Sequence, residues 1–357
     1  MLPDFVASQV DLTPYNTLAL PARAEFLAHI QRIEQLAILA SHPEFAGRRR
    51  FVLGGGSNLI VAGDFGGFVL RMGILGKRRI GEDATYTYLA VAAGENWSDF
   101  VAWTLDSGWP GLENLIGIPG TAGAAPIQNI GAYGVEASDF LYRLTALDLA
   151  RGETITLDAH DCALGYRDSL FKREGWHLSG RYAITEVVFR LPKAWRPRIA
   201  YREVAAKLAR DGIENPAPAQ IAQVITALRA QKLPDPRQLP NAGSFFQNPK
   251  VFAGFAAALR HAHPDLPAYP QPDGSVKLAA AWLIEHADWK GRNLGPVGMY
   301  EQQALVLVNR GGARFRDVQN LSRAVREAVF ARFGVTLTPE PVLLQDDDGA
   351  ENAEANA

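Results

Sequence analysis

From residue 107 to residue 136 the chain shows neither helical nor strand periodicity, yet it carries Gly108, Gly111, Gly117, Gly120, Gly123, Gly131 and Gly134. A run of that length without regular structure, inside a compact domain, is usually functional. Its centre reads Ile118-Pro119-Gly120-Thr121-Ala122-Gly123-Ala124-Ala125-Pro126-Ile127-Gln128-Asn129-Ile130-Gly131-Ala132-Tyr133-Gly134. Small side chains allow backbone to lie directly against a flat ligand and a pyrophosphate. Gln128 and Asn129 add amides. A flexible linker is the plain alternative, but it would leave Ile116, Ile118, Ile127 and Ile130 in water.

A second glycine cluster, Gly54-Gly55-Gly56-Ser57-Asn58, follows a strand expected at 50–53 and precedes another at 59–61. It lacks the Gly-Lys-Ser/Thr of a phosphate loop, and no helix follows it as a dinucleotide fingerprint requires. It reads either as a backbone nest for an anion, with Ser57 and Asn58 adding donors, or as a tight turn.

Around these loops the first half is strand-rich. Strands are expected at 67–71, 86–93 and 182–191, with a hairpin of 144–149 and 154–157. Helices are expected at 24–40 and, capped by Ser98, at 99–106. Pro192 to Pro197 reads as a boundary. Beyond it helices are expected at 202–209, 220–230, 251–261, 277–286 and 317–333, with strands at 304–308 and 335–338. Leu321, Val325, Ala328, Val329 and Arg332 share one face of the last helix.

With 48% hydrophobic and 21% charged residues, the chain is an ordinary soluble protein with material for more than one core. Its net charge of −2 argues against nucleic acid or an anionic membrane as the main partner. The single cysteine, Cys162, permits no internal disulfide and reads as a small core residue. No signal peptide and no membrane span is apparent, so a cytoplasmic location is expected. The histidines are scattered, and no metal site is expected. Residues 346–357, acidic and poor in large apolar groups, read as a disordered tail.

In the second half one heptad stands out: Gly243-Ser244-Phe245-Phe246-Gln247-Asn248-Pro249. No histidine lies within ten residues to activate Ser244 as a nucleophile, though its hydroxyl can donate a proton. Alone, the heptad also reads as a turn into a helix, with Asn248 as N-cap and Pro249 as the first helical residue.

Four motifs in this order carry a resemblance: Gly-x-Gly-Ser-Asn, the Ile-Pro-Gly to Ala-Tyr-Gly run, Gly165-Tyr166-Arg167-Asp168-Ser169, and Gly243-Ser244-Phe245-Phe246. From about Asn16 to Leu344 the chain resembles the UDP-N-acetylenolpyruvoylglucosamine reductases, in their long form. The resemblance implies an α+β chain. Its FAD-binding domain would have two lobes, 1–75 and 76–196, of the vanillyl-alcohol-oxidase (PCMH) type, followed by a C-terminal α/β substrate-binding domain, 197–345. It also implies FAD, NADPH as hydride donor, and reduction of an enolpyruvyl ether to a lactyl ether in peptidoglycan precursor synthesis. Hydride would pass from reduced FAD to the terminal alkene carbon, and a proton to the carbon beside the carboxylate.

By the same resemblance Ser244 is the proton donor. Arg167 is the carboxylate clamp, or else pairs with Asp168 or Asp161. Glu340, in Thr338-Pro339-Glu340-Pro341, is the catalytic glutamate, hydrogen-bonding the intermediate if protonated or orienting a donor if ionised. Cofactor contacts are expected from Gly54, Gly55, Gly56, Ser57, Asn58, Ile118, Pro119, Gly120, Gly123, Gln128, Asn129, Gly131, Ala132, Tyr133 and Gly134. Tyr133, Tyr201, Lys232, Asn248 and Gln303 match substrate contacts, Lys232 at the diphosphate. FAD should be non-covalent, because the Pro119 loop has no histidine. Val342 stands where long-form relatives often carry arginine. The expected partners are the nucleotide-sugar substrate and NADPH, with the protein acting as a monomer. Two alternatives are a flavin oxidase of the same fold acting on a sugar-like alcohol, and a non-catalytic nucleotide-sugar-binding protein.

Overall fold

Residues 2–346 are described by a computed structural model, so the expected tail lies, from 347 on, outside the described residues. They form two compact units: residues 2–10, 24–56 and 65–230, and residues 11–23, 57–64 and 231–346. Compactness therefore divides the chain near 230, whereas the change of composition falls at 196. The helices Arg202–Arg210 and Pro218–Lys232 explain the difference. Their buried Val204, Leu208, Ile221, Ile225 and Leu228 pack with Ile116, Tyr133 and Trp195 of the first unit.

Two sheets dominate the first unit. One runs Val6–Asp11, Arg23–Ile30, Phe65–Met72, Arg50–Leu53 in spatial order. Arg23–Ile30 and Arg50–Leu53 each pair in parallel with Phe65–Met72, Phe26 opposite Phe68 and Phe51 opposite Val69. The expected helix at 24–40 is thus corrected: a strand, Arg23–Ile30, precedes a shorter helix, Ile33–Ala40. Helix formers dominate this stretch, but Ala24, Leu27, Ala28 and Ile30 are buried in a parallel pairing that outweighs local propensity. The other sheet is antiparallel, in the order Glu153–Asp158, Leu141–Asp148, Tyr182–Pro192, Tyr86–Ala92, Lys77–Glu82. One face of it covers a core of Leu89, Val91, Leu144, Val187 and Phe189. The helix Trp97–Asp106 adds Trp97 and Phe100 to that core, and Asn96, not Ser98, caps it by accepting from the Asp99 N–H at 3.0 Å.

The second unit holds a four-stranded sheet, Asn241–Ser244, Val306–Asn309, Val297–Met299, Asn293–Leu294. The helix Phe315–Phe333 buries Leu321, Val325 and Val329 on the face expected from their spacing. Three expectations fail here. Lys250–Phe252 is a strand paired with Ser275–Leu278, so the helices start later, as Ala253–Ala262 and Ala280–His286. No strand forms at 335–338; the strand is Val342–Leu344, parallel to Leu59–Val61. In each case cross-strand partners distant in sequence claim backbone groups that local pattern assigned elsewhere.

Candidate active site

In the first unit the glycine loops are built against each other. Residues 93–97 pin residues 120–123: the Trp97 N–H donates to the Gly120 carbonyl at 3.1 Å, Ala122 N–H to Glu95 at 2.9 Å, and Gly123 N–H to Ala93 at 3.0 Å. Ile130 joins the core beneath, and Ile116, Ile118 and Ile127 pack on it, as a bound loop and not a linker requires. A side chain at Gly55 would place its Cβ 3.0 Å from the Gly120 Cα, and one at Gly54 would lie 2.7 Å from the Thr121 Oγ1. Absent side chains thus let two backbones close together. The Thr121 Oγ1 is buried and has no hydrogen-bond partner among the described residues. Buried hydroxyls are nearly always satisfied. A glycine cradle holding an orphaned donor fits a phosphate- or amide-bearing cofactor such as FAD.

Between Gly123 and the turn at 165–169, four residues other than glycine adopt left-handed backbone: Asn129 (φ 46°), Tyr133 (φ 51°), Ala163 (φ 45°) and Arg167 (φ 53°). Each such residue costs about 1–2 kcal/mol and persists only where surroundings enforce it. Asn129 is fully buried, and its amide is spent on protein. Its Nδ2 donates to Glu136 at 2.7 Å, to the Ser138 hydroxyl at 3.1 Å and to the Gly165 carbonyl at 3.0 Å; its Oδ1 accepts from Ser138 N–H at 2.9 Å. Arg167 donates from Nη2 to the Gly131 carbonyl at 3.2 Å and lies on the Tyr166 ring at 5.5 Å. The neighbouring Asp168 pairs with Arg173 at 2.6 Å. Tyr133 and Tyr201 meet edge to face at 5.3 Å between ring centres. Burial holds the Tyr133 phenol above its ordinary pKa, so it stays a neutral donor.

The second unit brings Ser244 and Glu340 onto neighbouring backbones. Ser244 ends the strand Asn241–Ser244, opposite Val306, after a break in register between Asn241 and Ser244. Gly243 within that bulge has φ 68°, and its N–H is held by the Asn241 Oδ1 at 2.9 Å. Bulges of this kind re-aim the following side chain. Immediately after it the chain runs beside 338–340: Gln247 N–H donates to Thr338 and Glu340 N–H to Phe245, at 2.9 and 2.8 Å. Glu340 is buried, and its carbonyl accepts from Asn58 Nδ2 at 3.4 Å. The Asn58 carbonyl in turn accepts from the Val342 N–H at 2.9 Å. Ser57 and Asn58 belong to this unit, whereas Gly54, Gly55 and Gly56 belong to the first.

Asn248 is a cap, but of a different helix from the one expected: its Oδ1 accepts from Ala280 N–H at 2.9 Å. Gln303 sits in the short connection before Val306–Asn309, where its carbonyl accepts from Val306 N–H at 3.0 Å. Lys232 is the last, half-buried residue of the helix Pro218–Lys232.

Sequence reading passed over Thr121, Lys172 and Arg229. Arg229 donates from Nε to the Gly117 carbonyl at 3.1 Å, and burial lowers its pKa. The one available signal was its place three residues before Lys232 on an expected helix. Cys162 is buried, its thiol pushed up to about 12 by desolvation and then by Asp161 and Asp158. Among the described residues no cluster of histidine, cysteine and carboxylate could hold a metal.

A parallel-paired sheet and an antiparallel sheet with a glycine cradle beside them fit the class of FAD-binding flavoproteins. An FAD-binding-domain profile matches residues 25–158, and the profile "UDP-N-acetylenolpyruvoylglucosamine reductase, C-terminal domain" matches residues 235–344. The UDP-N-acetylenolpyruvoylglucosamine reductase of Dechloromonas aromatica is 57% identical over 338 residues, covering 95% of this chain and 99% of its own. That of Azoarcus sp. is 54% identical over 343 residues, covering 95% and 98%. The crystal structure of the Thermus caldophilus enzyme of that name superposes with a TM-score of 0.65 at 24% identity, covering 96% of this chain and 100% of that one. The chain belongs to the UDP-N-acetylenolpyruvoylglucosamine reductase family.

Proposed function

We propose that this chain is an NADPH-dependent, FAD-containing UDP-N-acetylmuramate dehydrogenase. It reduces the enolpyruvyl ether of UDP-N-acetylglucosamine to the lactyl ether, in peptidoglycan precursor synthesis. Family membership across 95% of the chain supports the reaction. The observation that carries the site is the Glu340 N–H bonded to the Phe245 carbonyl, which puts the serine and glutamate segments side by side.

When bound, FAD supplies the two-electron relay between NADPH and the substrate alkene. Its contacts are Gly54, Gly55, Gly56, Ser57, Asn58, Ile118, Pro119, Gly120, Gly123, Gln128, Asn129, Gly131, Ala132, Tyr133 and Gly134, and to these we add the orphaned Thr121 hydroxyl. For Asn129 and Asn58 the engaged side-chain amides argue for a role in shaping the loop ends. Ser244 Oγ gives its proton to the carbon beside the carboxylate. Arg167 clamps that carboxylate with a charge it cannot lose. Glu340 hydrogen-bonds the intermediate if protonated, or orients a donor if ionised. Lys232 meets the diphosphate, while Tyr133, Tyr201, Asn248 and Gln303 hold the rest of the nucleotide sugar.

In functional terms 1–75 and 76–196 are the cofactor lobes and 197–345 the substrate domain. Net charge of −2 supports small molecules over nucleic acid as partners, and a monomer in the cytoplasm is the simplest state. Among the described residues no helix is long and apolar enough to cross a membrane.

The test is the purified protein with both substrates. It should be yellow, and NADPH oxidation should depend on the enolpyruvyl nucleotide sugar, with one lactyl product per NADPH. Peroxide formed from a sugar alcohol without NADPH, or a colourless protein indifferent to FAD, would overturn the proposal.

A further inference from the structure

Three hydrogen bonds join the turn 165–169 to the loop 127–131 at alternate residues. Ser169 Oγ donates to the Ile127 carbonyl at 2.5 Å, Asn129 Nδ2 to the Gly165 carbonyl at 3.0 Å, and Arg167 Nη2 to the Gly131 carbonyl at 3.2 Å. Arg167 stands at the middle of this seam with left-handed backbone, φ 53°. An arginine gains nothing intrinsic from that conformation, and a nearby group must therefore hold it.

The holding group is on the next turn of chain. Lys172 lies in the short helix Leu170–Arg173, which Ser169 caps by accepting from the Lys172 N–H at 3.3 Å. From there the half-buried Lys172 side chain reaches back, and Nζ donates to the Arg167 carbonyl at 2.8 Å. A hydrogen bond from a charged donor is about twice as strong as a neutral one. It fixes the carbonyl, and with it the peptide plane that sets where the Arg167 side chain leaves the backbone.

We infer that Lys172 is a positioning residue for Arg167, holding the left-handed peptide that aims the guanidinium at the substrate carboxylate. This rests on the reading of Arg167 as the carboxylate clamp. Lys172 makes no contribution to proton transfer or to the cofactor. Its effect on substrate binding and reoxidation runs through the geometry of Arg167, and that effect disappears when Arg167 is absent.

The test is a double-mutant cycle on the flavin-loaded protein with Lys172→Met, Lys172→Gln, Arg167→Ala and the Lys172→Met/Arg167→Ala double variant. Three quantities are read: affinity of the oxidised enzyme for the enolpyruvyl nucleotide sugar by calorimetry, the rate at which that substrate reoxidises the reduced flavin, and Tm with flavin content. Lys172→Met should weaken binding and slow reoxidation by roughly tenfold or more, as small displacements of a binding group do. Tm and flavin content should hold. Lys172→Gln, whose amide can still donate to the carbonyl, should recover most of the loss. The double variant should match Arg167→Ala within about twofold, the error of additive sites. Losses that multiply in the double variant would overturn the inference, as would a Lys172→Met protein whose binding equals the parent's. A Lys172→Met protein that loses flavin or Tm but keeps substrate affinity would overturn it too. If Arg167→Ala itself leaves binding and reoxidation intact, the clamp reading fails and takes this inference with it. If Arg167→Ala is harmful and Lys172→Met harmless, the inference alone fails.

Discussion

Ser244 has a hydroxyl at the end of a bulged strand and no histidine near it in sequence, and on the proposed reading it donates a proton and does not attack. Ser244→Ala should therefore split the two half-reactions. Reduction of the flavin by NADPH should keep its rate, while reoxidation by the enolpyruvyl substrate slows by roughly a hundredfold, the usual loss of a general acid. Stopped-flow absorbance at the flavin band follows both, and slowed reduction with intact reoxidation would remove Ser244 as the donor. Cys162 makes the opposite kind of residue-scale prediction. Its thiol, pushed up to about 12 by burial, stays protonated at pH 8, and only the thiolate attacks disulfides. A chromogenic disulfide reagent should release no colour from the native protein and one equivalent after denaturation. Rapid native reaction would show that the site opens. At this scale the roles proposed for Ser244, Arg167 and Glu340 came from the order of four motifs and their family resemblance, because each residue alone also allowed a plain structural reading. The sequence was silent about Lys172 and Thr121, whose meaning depends on which carbonyl or backbone faces them.

Loops and strands behave differently as elements. The strands Arg50–Leu53, Leu59–Val61, Tyr86–Ala92 and Tyr182–Pro192 were legible because their own apolar, β-branched pattern defines them. Arg23–Ile30 was not, since its Ala, Glu and Leu residues favour helix locally and only the parallel partner Phe65–Met72 makes it a strand. Lys250–Phe252 and Val342–Leu344 were hidden for the same reason. The glycine loops were legible as special but not as mutually packed. Their contact gives an element-scale prediction. Gly55→Val puts a branched side chain where even the Cβ lies 3.0 Å from the Gly120 Cα, and backbone cannot step aside as a flexible side chain would. FAD occupancy should fall severalfold, read as the flavin-to-protein absorbance ratio, while Tm of the flavin-free protein drops by only a few degrees. Full occupancy in Gly55→Val would place the cofactor away from these loops.

For the whole molecule, no histidine stands in the stretch from Ile118 to Gly123, and the cradle offers backbone and a hydroxyl but no nucleophile suited to a flavin bond. Heating followed by filtration should therefore send all yellow colour into the filtrate, and colour retained on the denatured chain would contradict non-covalent binding. The two compact units are each assembled from separated stretches of chain, and this has a consequence in time. Asn58 and Glu340, joined through the pairing of Leu59–Val61 with Val342–Leu344, lie 282 residues apart. On a ribosome adding about 5–20 residues per second, the segment around Asn58 emerges many seconds before its partner exists. Until then Leu59, Ile60 and Val61, all buried in the finished fold, form an unpaired apolar strand. The segment that carries Glu340 is thus among the last parts to be made, long after the strand Leu59–Val61 that it completes.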